Sequence, residues 1–299
     1  MKRIRTNHLA AALGVLALGL TAGNAAQACS LTAWNAALQG GAPTTGSPPT
    51  FKKISGSCGM AAGVTSANFV TESANHSAEG NTSPLRVRFF VFTGITAGTP
   101  TVFRALKGEG TGNSVVEIDY DAVDQNFDFR VNGVAAGSTT AGSAPRNRWI
   151  SVRFAYQIGQ TFAASTGSQG TSTALTTTAV GAAGETVDSV QLGVVAPNGA
   201  SGNLFFDEYE ASRAASAGSG FDGPFTKRCR GDANGNGQYD LTDIFNVIDE
   251  FLFLQGDTSK SMATGQPDYD ENGATELTDI FGTIGAFLAL QAGSTTGCP

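Results

Sequence analysis

Apolar and polar residues alternate in short runs across the middle of the chain. In RVRFFVF, residues 86–92, the side chains of Val87, Phe89 and Val91 fall on one side of an extended backbone. Further runs of strand character are separated by turns rich in Gly, Asn and Ser: 101–106, 114–120, 126–132, 148–156, 190–195 and 204–210. Because no helical pattern lies between these runs, they predict a mainly β protein, an antiparallel β-sandwich or jelly roll.

Three local features refine this expectation. Asn132-Gly133 is a typical two-residue hairpin turn. The Ser- and Thr-rich stretch from Thr161 to Gly184 predicts either a long loop or weak, exposed strands. Trp149 is expected to pack between the two sheets, with a sugar-stacking position as the alternative.

The pattern changes after residue 228. LTDIF, at residues 241–245, returns unchanged at residues 277–281, and each copy begins a segment with helical periodicity. Each segment is therefore predicted to be a helix with one apolar stripe. The stripe residues match at an offset of 36 positions: Ile244, Phe245, Ile248, Phe251 and Leu252 with Ile280, Phe281, Ile284, Phe287 and Leu288.

An acidic, glycine-containing loop precedes each predicted helix. Counted from its first Asp, each loop places oxygen-bearing side chains at positions 1, 3, 5, 9 and 12, a Gly at 6, and a backbone carbonyl ligand at 7. This is the spacing of a calcium loop, so two calcium ions are expected. The predicted ligands are Asp232, Asn234, Asn236, Gln238, Asp240 and Asp243 in the first loop, and Asp268, Asp270, Asn272, Ala274, Glu276 and Asp279 in the second. The additional carboxylate of the second loop favours tighter binding there.

A calcium loop followed by a helix, repeated without entering helices, is similar to a dockerin module. Cys229 and the terminal Gly297-Cys298-Pro299 resemble the cysteine-bracketed dockerin-type modules that end many secreted bacterial proteins. The resemblance implies calcium-dependent anchoring, with loop positions 10 and 11 contacting a cohesin-like partner. Those positions are Leu241, Thr242, Leu277 and Thr278. Since cellulosomal dockerins commonly have hydroxylic residues there, the leucines favour another surface anchoring protein over a classical cohesin.

The middle segment resembles the laminin-G-like and concanavalin-A-like jelly rolls of secreted bacterial proteins. The resemblance rests on RVRFFVF, on RWISVRFAY, and on VDSVQLGVV followed by GNLFFDEYEASR. It implies a binding or adhesion module with polysaccharide as a candidate ligand.

An acidic strand raises the alternative of an enzyme. EIDYD, residues 117–121, resembles the Glu-x-Asp-x-Glu strand of laminarinase-like glycoside hydrolases. That resemblance implies Glu117 as nucleophile, Asp119 as helper and Asp121 as acid/base. However, Asp121 stands where the family has Glu, and residues four apart on a straight strand are separated by about 13 Å, against about 5–5.5 Å in retaining enzymes. We therefore expect binding rather than catalysis, with a hydrolase and a purely structural surface protein as the alternatives.

The start of the chain indicates export. Lys2, Arg3 and Arg5 precede an apolar run and then small residues, which is typical of a secretory signal peptide. The apolar run is too short to span a bilayer. The protein is therefore expected to be secreted or at the cell surface. Cys29 directly after the predicted cut leaves lipid attachment as an alternative.

Cysteine and charge distributions divide the mature chain into two regions. Its four cysteines allow three connectivities. We expect Cys29–Cys58 together with Cys229–Cys298, because each of these pairs brackets one region. Residues 229–299 have 11 acidic and 2 basic side chains, whereas residues 29–228 have 14 and 13. Neither balance indicates a nucleic-acid partner. We expect a signal peptide at 1–28, a sandwich at 29–213, a linker at 214–228 and a dockerin-like domain at 229–299.

Overall fold

The computed structural model describes residues 31, 34, 41, 43–54, 58–72, 85–108, 112–159, 161–168, 171–175, 186–212, 231–235 and 239–292. These residues form two antiparallel sheets and two helices, which confirms the predicted mainly β sandwich. The strands are β1 Thr44–Gly46, β2 Gly59–Gly63, β3 Asn68–Glu72, β4 Leu85–Phe92, β5 Thr101–Leu106, β6 Ser114–Asp121, β7 Asn126–Val131, β8 Val134–Ser138, β9 Trp149–Tyr156, β10 Ala163–Ser168, β11 Thr171–Ala174, β12 Ser189–Ala196 and β13 Asn203–Ser212. The helices are α1 Leu241–Leu254 and α2 Leu277–Gln291.

The two sheets interleave distant parts of the chain. Within the described residues, the larger sheet has the order β1-β2-β13-β4-β9-β10-β11 and the smaller has β3-β12-β5-β6-β7-β8. Every strand predicted from the alternating pattern is present. The short strands β1, β2 and β8 were not predicted, because they are rich in Gly, Ala or Thr and show little alternation. The five-residue strand β3 was not predicted either. In the Ser/Thr-rich stretch, β10 and β11 form an edge hairpin beside β9.

The core between the sheets is aromatic and aliphatic. Val87, Phe89 and Val91 of β4 are fully buried in it, as their alternation predicts. Phe89 stacks on Phe103 of the opposite sheet, with ring centroids 5.5 Å apart and planes within 14°. Burial of such rings is the main source of stability for a sandwich of this size.

The predicted Asn132-Gly133 turn joins β7 to β8. Val131 pairs with Val134 across it. Both turn residues have positive φ, 50° for Asn132 and 76° for Gly133, which matches a type I′ hairpin. The Asn-Gly signal therefore predicted the turn correctly.

A second, smaller apolar cluster lies on the outer face of the larger sheet. It consists of Phe90 and Phe92 of β4, Trp149 of β9 and Ile54, with Phe205 of β13 packed against it. Trp149 is fully buried, with its ring 5.6 Å from that of Phe92. The expectation that Trp149 packs between the sheets is therefore wrong. Adjacent residues of a strand face opposite sides, and its neighbour Ile150 occupies the central core.

The helices pack on each other around Ala233, Val247, Ala263 and Ile280. The predicted apolar stripe is only partly correct, because Phe245 and Phe281 are 62% and 68% exposed. Leu288, another predicted stripe residue, is also exposed. The inward face includes the predicted stripe residue Ile280, together with Asp243 and Val247 of α1 and Asp279 and Thr283 of α2. In the part of the chain that the structure covers, neither helix is long and apolar enough to cross a membrane.

Candidate metal centre and its contact with the sandwich

Three carboxylates converge in the second repeat. One carboxylate oxygen from each of Asp268, Asp270 and Asp279 lies within 4.8 Å of the others. Asp268 and Asp279 are buried, while Asp270 is half-exposed. Burial raises the pKa of Asp268 well above its usual value of 3.8, and the nearby Asp279 carboxylate raises it further. Such a cluster can hold a metal ion, whose positive charge would compensate the buried negative charges.

Backbone N–H groups hold these carboxylates in place. Asp268 accepts from the N–H of Asn272 at 3.0 Å and from that of Gly273 at 2.6 Å. Asn272 in turn accepts from the N–H of Ala274 at 2.9 Å. Gly273 has φ of 80°, a left-handed conformation that favours glycine. The sharp turn predicted at position 6 is therefore present.

The carboxylate at position 12 closes each loop from the first turn of a helix. Asp279 accepts from the N–H of Asp270 at 3.2 Å and from that of Glu276 at 2.6 Å. In the first loop, Asp243 accepts from the N–H groups of the matching residues, Asn234 at 3.2 Å and Asp240 at 2.9 Å. The sequence repeat is thus also a repeat of hydrogen bonds. These bonds also cap the helix N-termini, where negative charge is favourable.

The first loop is described only in part. Its positions 5 to 7, Asn236, Gly237 and Gln238, lie outside the described residues. Asp232 and Asp243 are buried, as are their counterparts Asp268 and Asp279. Burial also raises the pKa of Asp243.

Backbone hydrogen bonds join the first loop to the segment that leads into the second. Gly231 donates to the carbonyl of Gln266 at 3.1 Å, and Gln266 donates to that of Asp232 at 2.8 Å. Gly265 donates to the carbonyl of Ala233 at 2.8 Å. The two repeats therefore form one structural unit.

The second loop lies directly against the outer face of the sandwich. Lys52 Nζ donates to the carbonyl of Gly273 at 2.9 Å, and Arg148 Nη1 donates to that of Asp270 at 2.8 Å. The N–H of Trp149 donates to the carbonyl of Glu271 at 3.3 Å. Lys52 also lies over the ring of Phe92, 4.9 Å from its centroid.

A buried ion pair lies beside these contacts. Lys53 Nζ is 2.8 Å from Glu250 Oε2, and both side chains are almost fully excluded from water. Glu250 also accepts from the N–H of Ala263 at 2.8 Å and from the hydroxyl of Thr275 at 2.7 Å. One carboxylate of α1 therefore ties together the sandwich, the segment between the repeats and the second loop.

A cavity of about 470 Å³ lies between the N-terminal segment of the sandwich and the two repeats. Pro48, Pro49 and Lys52 form one wall. Leu277 and Thr278, at the start of α2, line the other side. Burial lowers the pKa of Lys52, although the charges of Asp268 and Glu276 oppose that shift.

The residues predicted to contact a partner lie on the surface. Leu241 and Leu277 are 57% and 54% exposed, and Thr242 and Thr278 are also exposed. Phe245 and Phe281 follow one helical turn later and are exposed too. Each helix thus presents a Leu-Thr-Phe surface. Both phenylalanines were predicted to lie on the inward stripe, although their i, i+4 spacing from the leucines places them on the same helix face as those residues.

The three candidate catalytic carboxylates all have partners. Glu117 forms ion pairs with Arg104 at 2.7 Å and Arg130 at 2.6 Å. Asp119 is buried, accepts from the hydroxyl of Thr101 at 2.6 Å and pairs with Arg130 at 2.5 Å. Burial raises the pKa of Asp119, which the hydrogen bond from Thr101 opposes.

Asp121 has a different role at the end of β6. It accepts from the N–H groups of Val123 at 2.7 Å and Asp124 at 3.0 Å. This arrangement stabilises the turn that follows the strand. Glu117 and Asp119 lie on the same face of β6 and share Arg130 as a partner, whereas Asp121 lies at the end of the strand and caps the turn.

Several predictions concern residues that the structure does not describe. Cys29, Cys229 and Cys298 lie outside the described residues, so the pairing of the four cysteines stays a prediction. The predicted signal peptide and the linker at residues 214–228 also lie outside them.

A scan against protein-family models found no match for this chain, and a search of curated proteins found none either. Among solved structures, the chain is similar to Trypanosoma rangeli sialidase, with 13% identity and a TM-score of 0.38 over 54% of this chain and 25% of that one. It therefore spans about a quarter of the sialidase.

Two shorter proteins show a comparable likeness. The cellulose induced protein Cip1 has 15% identity and a TM-score of 0.40 over 63% of this chain and 89% of that one. The receptor binding domain of botulinum neurotoxin type G has 9% identity and a TM-score of 0.39, over 58% and 44%. At these scores the likeness carries no argument about function, and the fold assignment rests on the two sheets themselves.

Proposed function

We propose that the protein is a secreted binding module whose C-terminal repeats bind two calcium ions and anchor the sandwich to a surface partner. The observation that supports this most directly is the convergence of Asp268, Asp270 and Asp279 in the second loop, with matching hydrogen bonds in the first. Two copies of the same local geometry favour a ligand-binding role over a pair of ordinary acidic turns.

The donor atoms suit calcium. All predicted ligands in the second loop are oxygens: four carboxylates, the amide oxygen of Asn272 and the carbonyl of Ala274. Calcium takes six to eight oxygens at about 2.3–2.6 Å, whereas zinc prefers nitrogen and sulfur. Asp268 and Asp279 are buried and accept hydrogen bonds from backbone N–H groups, so a bound cation would compensate their charges.

Calcium titration by calorimetry tests this part of the proposal. The full chain should bind two ions, and Asp279→Asn and Asp243→Asn should each weaken one site. The second site should be the tighter one, because it has four carboxylates. A chain that binds no calcium would contradict the proposed sites. Equal calcium affinities of the two single-loop variants would contradict the expectation that the second site is tighter.

We propose the exposed Leu-Thr-Phe surfaces of α1 and α2 as the anchoring region. Exposed phenylalanines beside leucines are typical of protein interfaces, because a bound partner removes their apolar surface from water. The partner is a cohesin-like or other surface anchoring protein. This region does not overlap the calcium ligands. Calcium could therefore order the surface and stay bound while the partner binds.

We propose polysaccharide as the ligand class of the sandwich. This rests on the family resemblance of the sandwich sequence. Binding is preferred to hydrolysis because Glu117 and Asp119 are tied to arginines and Asp121 caps a turn. The aromatic face of the larger sheet is covered by residues 51–54 and the second loop, so a sugar would bind elsewhere on the sandwich.

Depletion of the full chain from solution by insoluble polysaccharides is the test. Depletion by one or a few polymers would support carbohydrate binding. The Glu117→Gln variant should then bind the same polymers as the unaltered chain, and the unaltered chain should not cleave them. If no polymer removes the protein, the carbohydrate proposal fails, and a structural or protein-binding surface domain remains.

A further inference from the structure

We propose that the sandwich holds the second calcium loop in its binding shape, so that calcium binding there and attachment of the repeats to the sandwich strengthen each other. This inference rests on the proposed calcium sites. It adds that the two sites are not equivalent, because Lys52, Arg148 and Trp149 of the sandwich bind the second loop.

Three donors of the sandwich bind three backbone carbonyls within a four-residue stretch of the second loop. Arg148 Nη1, the Trp149 N–H and Lys52 Nζ donate to the carbonyls of Asp270, Glu271 and Gly273. These carbonyls belong to loop positions 3, 4 and 6. The backbone of the tightest part of the loop is thus fixed from outside.

None of these three carbonyls is a predicted calcium ligand. The loop offers calcium side-chain oxygens and one backbone carbonyl, that of Ala274 at position 7. The sandwich and the ion therefore use different atoms of the same loop and can bind it together. A loop already held in its bound conformation loses less conformational entropy when the ion binds.

The donors come from well-anchored parts of the sandwich. Trp149 begins β9 and is fully buried against Phe92, and Lys52 lies over the same ring. The neighbouring Lys53–Glu250 ion pair fixes α1 to the same segment. A rigid support of this kind is what preorganisation of a site requires.

The described part of the first loop is held differently. Its carbonyl at position 3, that of Asn234, accepts from the hydroxyl of Thr264, within the repeats themselves, at 3.1 Å. The corresponding carbonyl of the second loop, that of Asp270, accepts from Arg148 of the sandwich. Calcium binding at the first loop should therefore be insensitive to the sandwich donors.

An opposing electrostatic effect sets the design of the test. Arg148 lies 3.6 Å from a carboxylate oxygen of Asp270, and Lys52 lies near Asp268 and Glu276. These positive charges repel calcium, so their removal alone would tighten binding. The Arg148–Asp270 pair is substantially exposed and hence screened by salt. Titrations at low salt and at about 0.5 M salt separate this effect from preorganisation.

The test uses the full chain with Lys52→Met and Arg148→Met, singly and combined. Asp243→Asn isolates the second site and Asp279→Asn isolates the first. At high salt, we expect the double variant to lose about fivefold or more in calcium affinity at the second site, which is the usual lower size of a coupling effect. The first site should not change. Lys260→Met removes one charge from a surface pair with Asp249 and should change neither site.

A reciprocal measurement checks the same coupling. In a Trp34→Phe background, Trp149 is the only tryptophan of the mature chain, so its fluorescence reports the buried face that the second loop covers. Calcium should raise the denaturant midpoint of this signal, and Asp279→Asn should reduce that rise more than Asp243→Asn does.

Unchanged or tighter binding at the second site in the double variant at high salt would overturn the proposal. Equal losses at both sites would also overturn it, since they would show general destabilisation. If the unaltered chain binds no calcium, the coupling and the calcium part of the proposed function both fail. If calcium binds normally at both sites in every sandwich variant, only the coupling fails.

Discussion

Lys53 and Glu250 form an ion pair of 2.8 Å in the nearly water-free contact between the sandwich and the repeats, although 197 residues separate them. Glu250 has three partners there, while its counterpart in the second repeat, 36 positions later, is Ala286. The repeat has thus diverged at the position where the first helix meets the sandwich.

Loss of one member of this pair should destabilise the protein strongly. Lys53→Met leaves Glu250 as a buried, uncompensated charge, which typically costs about 3–5 kcal/mol. Glu250→Gln should cost less than Glu250→Ala, because the amide oxygen retains an acceptor for Ala263 or Thr275. Urea unfolding measures the free energy. Lys260→Met is the matched control, with an expected loss of about 0–1 kcal/mol. Equal losses for Lys53→Met and Lys260→Met would contradict the burial of the pair.

Two glycines with similar backbone angles should respond differently to alanine. Gly273 and Gly133 have φ of 80° and 76°, so each Ala variant pays a left-handed cost of about 1–2 kcal/mol. A Cβ on Gly273 would lie 2.4 Å from Lys52 Cδ and 2.7 Å from a ring carbon of Phe92, whereas Gly133 has open space. Gly273→Ala should therefore be less stable than Gly133→Ala by about 1–3 kcal/mol. It should also weaken calcium binding at the second loop, which calorimetry measures.

Acid should stabilise the calcium-free repeats. Burial raises the pKa of Asp268, Asp279 and Asp243 above the ordinary value of 3.8. A carboxyl group with a raised folded-state pKa contributes stability below its unfolded pKa, and this contribution is lost as pH rises through the folded-state value. Without calcium, the free energy of unfolding should therefore fall as the pH rises above about 4. With calcium the trend should reverse, because protons compete with the ion for the same oxygens.

Asp268→Asn provides the control for this pH dependence. The variant should flatten the calcium-free profile and stabilise the calcium-free form near neutral pH, since it removes a buried negative charge. Chelator-treated protein, unfolded in urea at several pH values, gives the comparison. A calcium-free stability that rises steadily from pH 4 to pH 7 would show that the raised pKa values do not dominate.

Substitutions on the exposed and buried faces of α1 should differ in their effect on stability. Phe245→Ser alters an exposed ring and should change stability by no more than about 0.5 kcal/mol. Val247→Ala removes two buried methyl groups and should cost about 2 kcal/mol. Thermal unfolding distinguishes them, and a large loss for Phe245→Ser would mean that the ring is covered. Phe245→Ser combined with Phe281→Ser should instead abolish capture by the anchoring partner.

Local signals were the ones that the sequence revealed. Asn132-Gly133 predicted its turn because both residues tolerate positive φ, and the LTDIF repeat predicted two loops and two helices because their bonds run between near neighbours. Trp149 was misplaced because alternation alone does not say which side of a strand faces the other sheet. Here the second side is also buried, under Ile54 and the second loop.

The contact between the sandwich and the repeats was not predictable for a related reason. Lys52, Lys53 and Arg148 look like ordinary solvated charges in the sequence, and nothing near them indicates carbonyl partners more than a hundred residues away. Phe245 and Phe281 were assigned to the core because hydrophobicity usually indicates burial. They are exposed because Asp243 and Asp279 occupy the inward positions of the two helices.

The outer face of the larger sheet is synthesised well before the repeats that cover it, and this order matters for folding. Lys53 is synthesised 197 residues before its partner Glu250, and the second loop, which covers the neighbouring aromatic rings, follows later still. Until then the second loop does not cover Phe92 and Trp149, and contacts between residues so far apart in sequence form slowly. A nascent or truncated chain that ends before the repeats would therefore be prone to aggregate through the exposed apolar surface around Phe92 and Trp149.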